Sequence, residues 1–426
     1  MDNNNGKLSI RTLCNMLIND TMPLQEYIDD TLKLMERKEP SIQAFLPESN
    51  RRERLHSEAK SLQAMYPEAV KRPPLYGLLV GVKDLFNVDG LPTRAGSKLP
   101  AEAFSGKEAE VVTRLKQLGA IILGKTVSTE FAYFSPGETC NPVNILHTPG
   151  GSSSGSAAAV AAGYCLAALG TQTIASIIRP ASYCGVFGYK PSWGRISTEG
   201  VFPFSQSADH VGFICRNHED VNFLAKNLLV NWNYLNSNPE PSFGCATGTY
   251  LNQVEGAVKE NFHNKVKDLI AKGYSVVECD PFAEIDYINT RHRRLIAAEF
   301  AINHKALFNK FSHLYSEHSK QLYALGLQVS ASELIDLRNA QIALRENIIS
   351  IMKKLDINLW ITPSTTTNAP LGLESTGVPL MSLPWTNAGL PSITVPNGFD
   401  SLGLPFGLQI IGAWQEDEYL CSLGLI

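Results

Sequence analysis

One stretch constrains this chain more than any other: Gly150 to Lys190, GGSSSGSAAAVAAGYCLAALGTQTIASIIRPASYCGVFGYK. It opens with a Gly/Ser run and continues into an Ala-rich segment without proline or charge, long enough for four helical turns. A second small-residue loop follows around Ser176. No charged side chain occurs between Gly150 and Ile178. A Gly/Ser loop feeding a helix leaves backbone N–H groups free to bind. Ala and Gly at this density let backbones approach closely, so the segment is expected to be buried. Buried hydroxyls need partners, which makes Ser152 and Ser176 candidates for chemistry.

The rest of the chain sets the bounds. Its 426 residues suffice for a large core, and length alone suggests two or three domains. The net charge of −4 favours neither nucleic acid nor an anionic membrane surface. The apolar runs fall far short of a membrane span, and MDNNNGKLSI has no signal core. Eight scattered cysteines form no CxxC pair and no Cys/His cluster at metal spacing, which reads as reduced, mostly buried thiols in a cytoplasmic protein.

In chain order, helical periodicity covers residues 8–47, with Pro23 opening a second helix and Pro40 closing it. A charged helix over 50–66 reads as a solvated face. Leu78 to Val82 reads as a buried strand with Lys83-Asp84 at its end. A helix over 108–118 ends at Gly119, before a strand at 120–123. This alternation predicts an α/β fold. The stretch 216–355 reads as mostly helical, with Arg291, Arg293 and Arg294 on one helix and a linker-like segment at 231–241. Short strands return from Leu359, and a short helix follows near the C-terminus.

Two motif matches fail on physical grounds. Gly119 to Thr126 fits G-x-x-x-x-G-K-T, but a phosphate loop must follow a strand and wrap its ligand with N–H groups. Here the intervening Ala-Ile-Ile-Leu reads as the strand itself. Gly151 to Gly155 fits the nucleophile elbow G-x-S-x-G around Ser153, but an elbow needs a strand immediately before it. His147-Thr148-Pro149-Gly150 is no strand. The adjacent Asp209-His210 pair does not suit a triad with one serine.

The surviving pattern is ordered. Gly81-Val82-Lys83-Asp84 ends a strand, Gly150 to Gly155 forms the first loop, and Gly170 to Ser176 forms the second. Pro180 to Pro191 and Gly389 to Gly412 follow, and Ser176 lies 24 residues after Ser152. In these motifs and spacings the chain resembles the amidase signature family over most of its length, including short bacterial amidases and the glutamyl-tRNA amidotransferase A subunit. The resemblance implies a Ser–Ser–Lys amide hydrolase. Ser176 is then the nucleophile, Ser152 on a cis peptide bond the proton relay, and Lys83 the base. Backbone N–H groups from Thr173, Ile174, Ala175 and Ser176 form the oxyanion hole. Arg179, Ser153 and Tyr133 are the candidate substrate contacts. The roles are chemically sensible: a serine needs an adjacent base, and a lysine serves only when burial makes it neutral. The alternative reading of the same residues is three buried groups with structural hydrogen bonds.

The resemblance also implies one α/β/α domain over residues 1–426, with a large mixed sheet covered by helices on both sides. The signature core spans about 76–215 and 356–415, with a helical insertion at about 243–355. Motifs at both ends of the chain overrule the length prior. No cofactor or metal is implied; the expected partner is a small-molecule amide, without nucleic acid or membrane, and a homodimer stays open. The chain departs from the family where Ile174-Ala175 stand for the usual Gly-containing pair. Ala tolerates positive φ poorly, so a narrowed acyl pocket and a weakened oxyanion hole are expected. Gln172 replaces a common Asp. Arg179 suits a substrate carboxylate, or else a structural ion pair or loop carbonyls. The alternatives are a glutaminase like the amidotransferase A subunit, and a catalytically impaired scaffold.

Overall fold

A computed structural model describes residues 8–235 and 239–424. Ten strands form one mixed sheet: β1 (Leu79–Lys83), β2 (Ile121–Thr126), β3 (Ala167–Gln172), β4 (Phe187–Lys190), β5 (His210–Cys215), β6 (Ser242–Ala246), β7 (Ser275–Cys279), β8 (Leu359–Pro363), β9 (Ser392–Phe399) and β10 (Pro405–Gly412). Their order is β2-β1-β3-β5-β4-β9-β10-β8-β6-β7. β1 runs parallel to β2 and β3, and β6 parallel to β7 and β8. The strands between these groups pair antiparallel. β1, β2 and β3 are buried at every residue, as parallel strands covered on both faces must be.

Strands from both sides of Asn231 share this sheet. The stretch 243–355 carries β7 and nearly all of β6 besides its long helices, Ile285–Phe311 and Ala331–Leu355. Helices flank the sheet, and a main core runs along it. A second apolar cluster joins the helix Ile285–Phe311 to the loops around Ala95, Phe131 and Phe204. Among the described residues no helix is long and apolar enough to cross a membrane.

Two local expectations need correction. The Ala-rich segment is not four turns of helix: the helix is Ser154–Ala162, nine residues, ended by Gly163 at φ 84°. Its continuation becomes β3, because Ala167 to Leu169 complete the sheet between β1 and β5. Pro40 does not close its helix, which runs Leu24–Ile42 and ends where Gln43 turns left-handed. Proline forfeits only one bond, to the carbonyl of residue 36, and the final turn tolerates that loss. By contrast, residues 121–126 form β2, as the rejected phosphate-loop match requires.

Candidate active site

The site gathers at the C-terminal ends of β1 and β3, where open α/β sheets place their ligands. Lys83 ends β1 and is fully buried. Its Nζ donates to Ser152 Oγ at 2.7 Å and to Thr171 Oγ1 at 2.8 Å. Among the described residues it forms no salt bridge. Burial drives its pKa well below the ordinary lysine value; the opposing charge of Asp209 does not restore it.

Ser152 sits on the loop before the helix Ser154–Ala162, and its Gly151–Ser152 peptide is cis. The loop is pinned from several sides. Ser154 Oγ donates to Gly150 O at 2.7 Å, Ser153 N to Ser176 O at 3.2 Å, and Gly155 N to Val127 O at 3.0 Å. A Cβ on Gly155 would lie 2.1 Å from Ala44 O and 2.4 Å from Val127 N, so only glycine fits there.

Ser176 lies on the loop that follows β3. The N–H groups of Ile174, Ala175 and Ser176 donate to no partner among the described residues. Gln172 stitches this loop together: its Oε1 accepts from Ile177 N at 2.8 Å and Ile178 N at 3.0 Å, and its Nε2 donates to Thr386 Oγ1 at 2.9 Å. The replacement of Asp by Gln therefore keeps the acceptor and adds a donor. Neither Ile174 nor Ala175 has positive φ. The expected clash between Ala175 and an unusual backbone angle does not occur, because Ala175 O accepts the Arg179 amide at 3.0 Å in a right-handed turn. Positive φ occurs instead across the cavity, at Phe131 (49°) and Ala132 (62°).

A small cavity, roughly 10 Å³, is bordered by Tyr133, Ser152, Ile174, Ala175, Ser176 and Arg179 among others. Lys83 lies behind Ser152. Ser153 does not reach the cavity: it is fully buried, and its Oγ donates to Thr171 O at 3.3 Å. This corrects its reading as a substrate contact, since a buried hydroxyl takes the nearest carbonyl. The Thr173 side chain also turns away, donating to Asp209 Oδ1 at 2.5 Å. Arg179 Nη1 donates to Gly377 O at 2.6 Å. Its Nη2 donates to Gly151 O at 2.8 Å and Thr376 Oγ1 at 3.1 Å. Its buried Nε has no partner among the described residues, and burial lowers its pKa to about 10. Sequence reasoning missed Thr171, Thr386 and His292; the last two lack any local motif. Of the three, Thr171 was the readable one, since it lies within the Gly170 to Ser176 motif, at the end of β3.

The amidase family model matches residues 26–421. A glutamyl-tRNA(Gln) amidotransferase A subunit from Synechococcus sp. (strain WH7803) is 31% identical, with 96% of this chain and 94% of the relative covered. The corresponding protein from Prochlorococcus marinus (strain MIT 9215) is 29% identical over 96% of this chain and 95% of the relative. A crystal structure of an amidase superposes with TM-score 0.88 at 29% identity, covering 98% of both chains. Peptide amidase from Stenotrophomonas maltophilia shares the fold, with TM-score 0.81 at 23% identity over 97% of this chain and 95% of that one.

Proposed function

The chain belongs to the amidase family, hydrolases of amide C–N bonds, and from that premise we propose that it cleaves a small carboxylic amide through an acyl-enzyme on Ser176. The observation that carries this reading is the Lys83 Nζ to Ser152 Oγ hydrogen bond, 2.7 Å long, in a buried setting without a carboxylate partner. A neutral lysine is a competent base.

In this reading Ser176 Oγ attacks the amide carbon. Its proton passes to Ser152 Oγ, whose own proton moves to neutral Lys83 Nζ. The carbonyl oxygen becomes an oxyanion facing the free N–H groups of Ile174, Ala175 and Ser176, and such donors act where charge develops. The relay runs backward as the C–N bond breaks, so the leaving nitrogen departs protonated as ammonia or an amine. Water then attacks the Ser176 ester by the same relay and regenerates the serine. Arg179, with a buried free Nε at the cavity, is our candidate for holding a substrate carboxylate, and Tyr133 for a cavity wall. Ile174 at the cavity favours a small acyl group. The eight free thiols support a cytoplasmic location.

The similarity to amidotransferase A subunits supports a second reading, a glutaminase that delivers ammonia to a partner protein. One screen addresses both: ammonia release from small amides, monoamides of dicarboxylic acids and glutamine, by the wild type and Ser176→Ala. Release that depends on Ser176 is expected. Glutamine as the preferred substrate selects the second reading, and equal release by both proteins refutes the serine mechanism.

A further inference from the structure

The oxyanion loop is held from behind by two residues far away in sequence. His292, on the helix Ile285–Phe311, places Nε2 3.0 Å from Thr173 O. Thr386, on the short helix Leu383–Asn387, donates its hydroxyl to Ile174 O at 2.7 Å. These two helices pack against each other, so the two carbonyls point toward one side of the loop. In a planar trans peptide the C=O and the following N–H point in opposite directions. Fixing Thr173 O therefore aims the Ile174 N–H, and fixing Ile174 O aims the Ala175 N–H. Both are sent away from the packed helices. Both belong to the run of free N–H groups beside Ser176.

We propose that His292 and Thr386 are positioning residues that aim the Ile174 and Ala175 N–H groups as oxyanion donors; this rests on the serine mechanism proposed above. The ring's protonation fits the task. A carbonyl only accepts, so His292 Nε2 carries the hydrogen. His292 is about 1% exposed, and burial lowers its pKa to about 4, which keeps the ring a neutral, single-N–H donor at ordinary pH. Thr386 is equally buried and is itself tied to Gln172 Nε2 at 2.9 Å. One continuous chain of bonds thus runs from Ile177 and Ile178 through Gln172 and Thr386 to Ile174. The arrangement answers the Ile174-Ala175 departure: the orientation of the donors is set by partners on their carbonyls, without a glycine.

The test compares wild type, Ser176→Ala, His292→Phe, His292→Gln and Thr386→Val on p-nitrophenyl acetate, with thermal unfolding recorded for each. Hydrolysis lost in Ser176→Ala is the first expectation. Deleting an oxyanion donor outright costs about a hundredfold to a thousandfold, and releasing its aim should cost less. His292→Phe and Thr386→Val are each expected to lower kcat by roughly tenfold to a hundredfold with KM within about twofold. His292→Gln, whose amide N–H can reach the same carbonyl, should recover most of the rate. Wild-type kcat in Thr386→Val, or in a folded His292→Phe, overturns the proposal. So does a change confined to KM, or His292→Gln as slow as His292→Phe. If wild type and Ser176→Ala are equal, the serine mechanism itself fails and the inference falls with it.

Discussion

Two lysines stand near the ends of neighbouring parallel strands, and their surroundings separate them. Lys83 pairs in register with Thr126, and Lys125 with Val82, so the two are one rung apart. Both are buried. Lys125 reaches Asp84 Oδ1 at 2.9 Å and Thr93 Oγ1 at 2.9 Å. Among the described residues Lys83 reaches only hydroxyls and one carbonyl, Thr171 O at 3.5 Å. Burial lowers both pKa values, but at Lys125 the carboxylate opposes it, and Lys125 in turn opposes the upward push on Asp84. A buried lysine becomes a base by lacking a carboxylate. With one it becomes a brace.

The sharpest way to break this contrast is to remove each lysine amine in turn. Lys83→Met is expected to lower the Ser176-dependent rate by roughly 10²- to 10⁴-fold, the usual worth of a general base, in an ammonia-release assay on a folded protein. Adding Ser176→Ala should cost little more, because residues acting as one unit are not additive. Lys125→Met should do the reverse: it strands Asp84 as an unpaired buried charge, at a cost of about 3–5 kcal/mol in unfolding free energy. Asp84→Asn combined with Lys125→Met should recover much of that loss in a urea titration. A Lys125→Met protein as stable as wild type would erase the distinction.

The contrast also has a pH signature. As a base Lys83 must be neutral, so the rate falls as pH drops through its lowered pKa. Stability moves in the same direction. Between its folded value and 10.5 the unfolded chain holds a proton that the folded chain does not, so this residue's contribution to stability rises with pH. Lys83→Met removes that slope. It should be more stable than wild type at neutral pH, with the gap closing as pH approaches 10.5. Denaturation curves at several pH values measure this, and a constant gap would mean that Lys83 is charged when folded. The smallest effect concerns neither lysine. Ile174→Gly with Ala175→Gly should speed hydrolysis of bulky amides more than small ones by relieving side-chain crowding, since no backbone strain is there to relieve. An equal or slower rate on every amide would rule that out.

The distribution of legible and illegible features follows the range of the forces involved. Lys83 at the end of an apolar run, and the serines in two small-residue loops, were readable because strand burial and loop chemistry are local. The rejection of Lys125 as a phosphate ligand followed from the same locality, since Ile121 to Leu123 can only be a strand. His292 was not readable. It lies between Arg291 and Arg293 on a helix with a weakly patterned surface, and its target carbonyl is 119 residues away. β6 and β7 escaped because SFGCA and SVVEC are short and lie among long helices; β6 becomes a strand by adding to β8, and β7 by adding to β6. Gln172 shows the middle case: its identity stands out in the sequence, but its two acceptor bonds depend on how the chain turns after Ser176.

The sheet order carries one more consequence. β4, before residue 231, pairs directly with β9, after it. Separating the two halves would leave β4 and β9 with bare rows of N–H and C=O groups. Such rows invite edge-to-edge association with other chains. The serine loops lie wholly in the first half, yet the strand that covers the β4 edge of that half is supplied by the second.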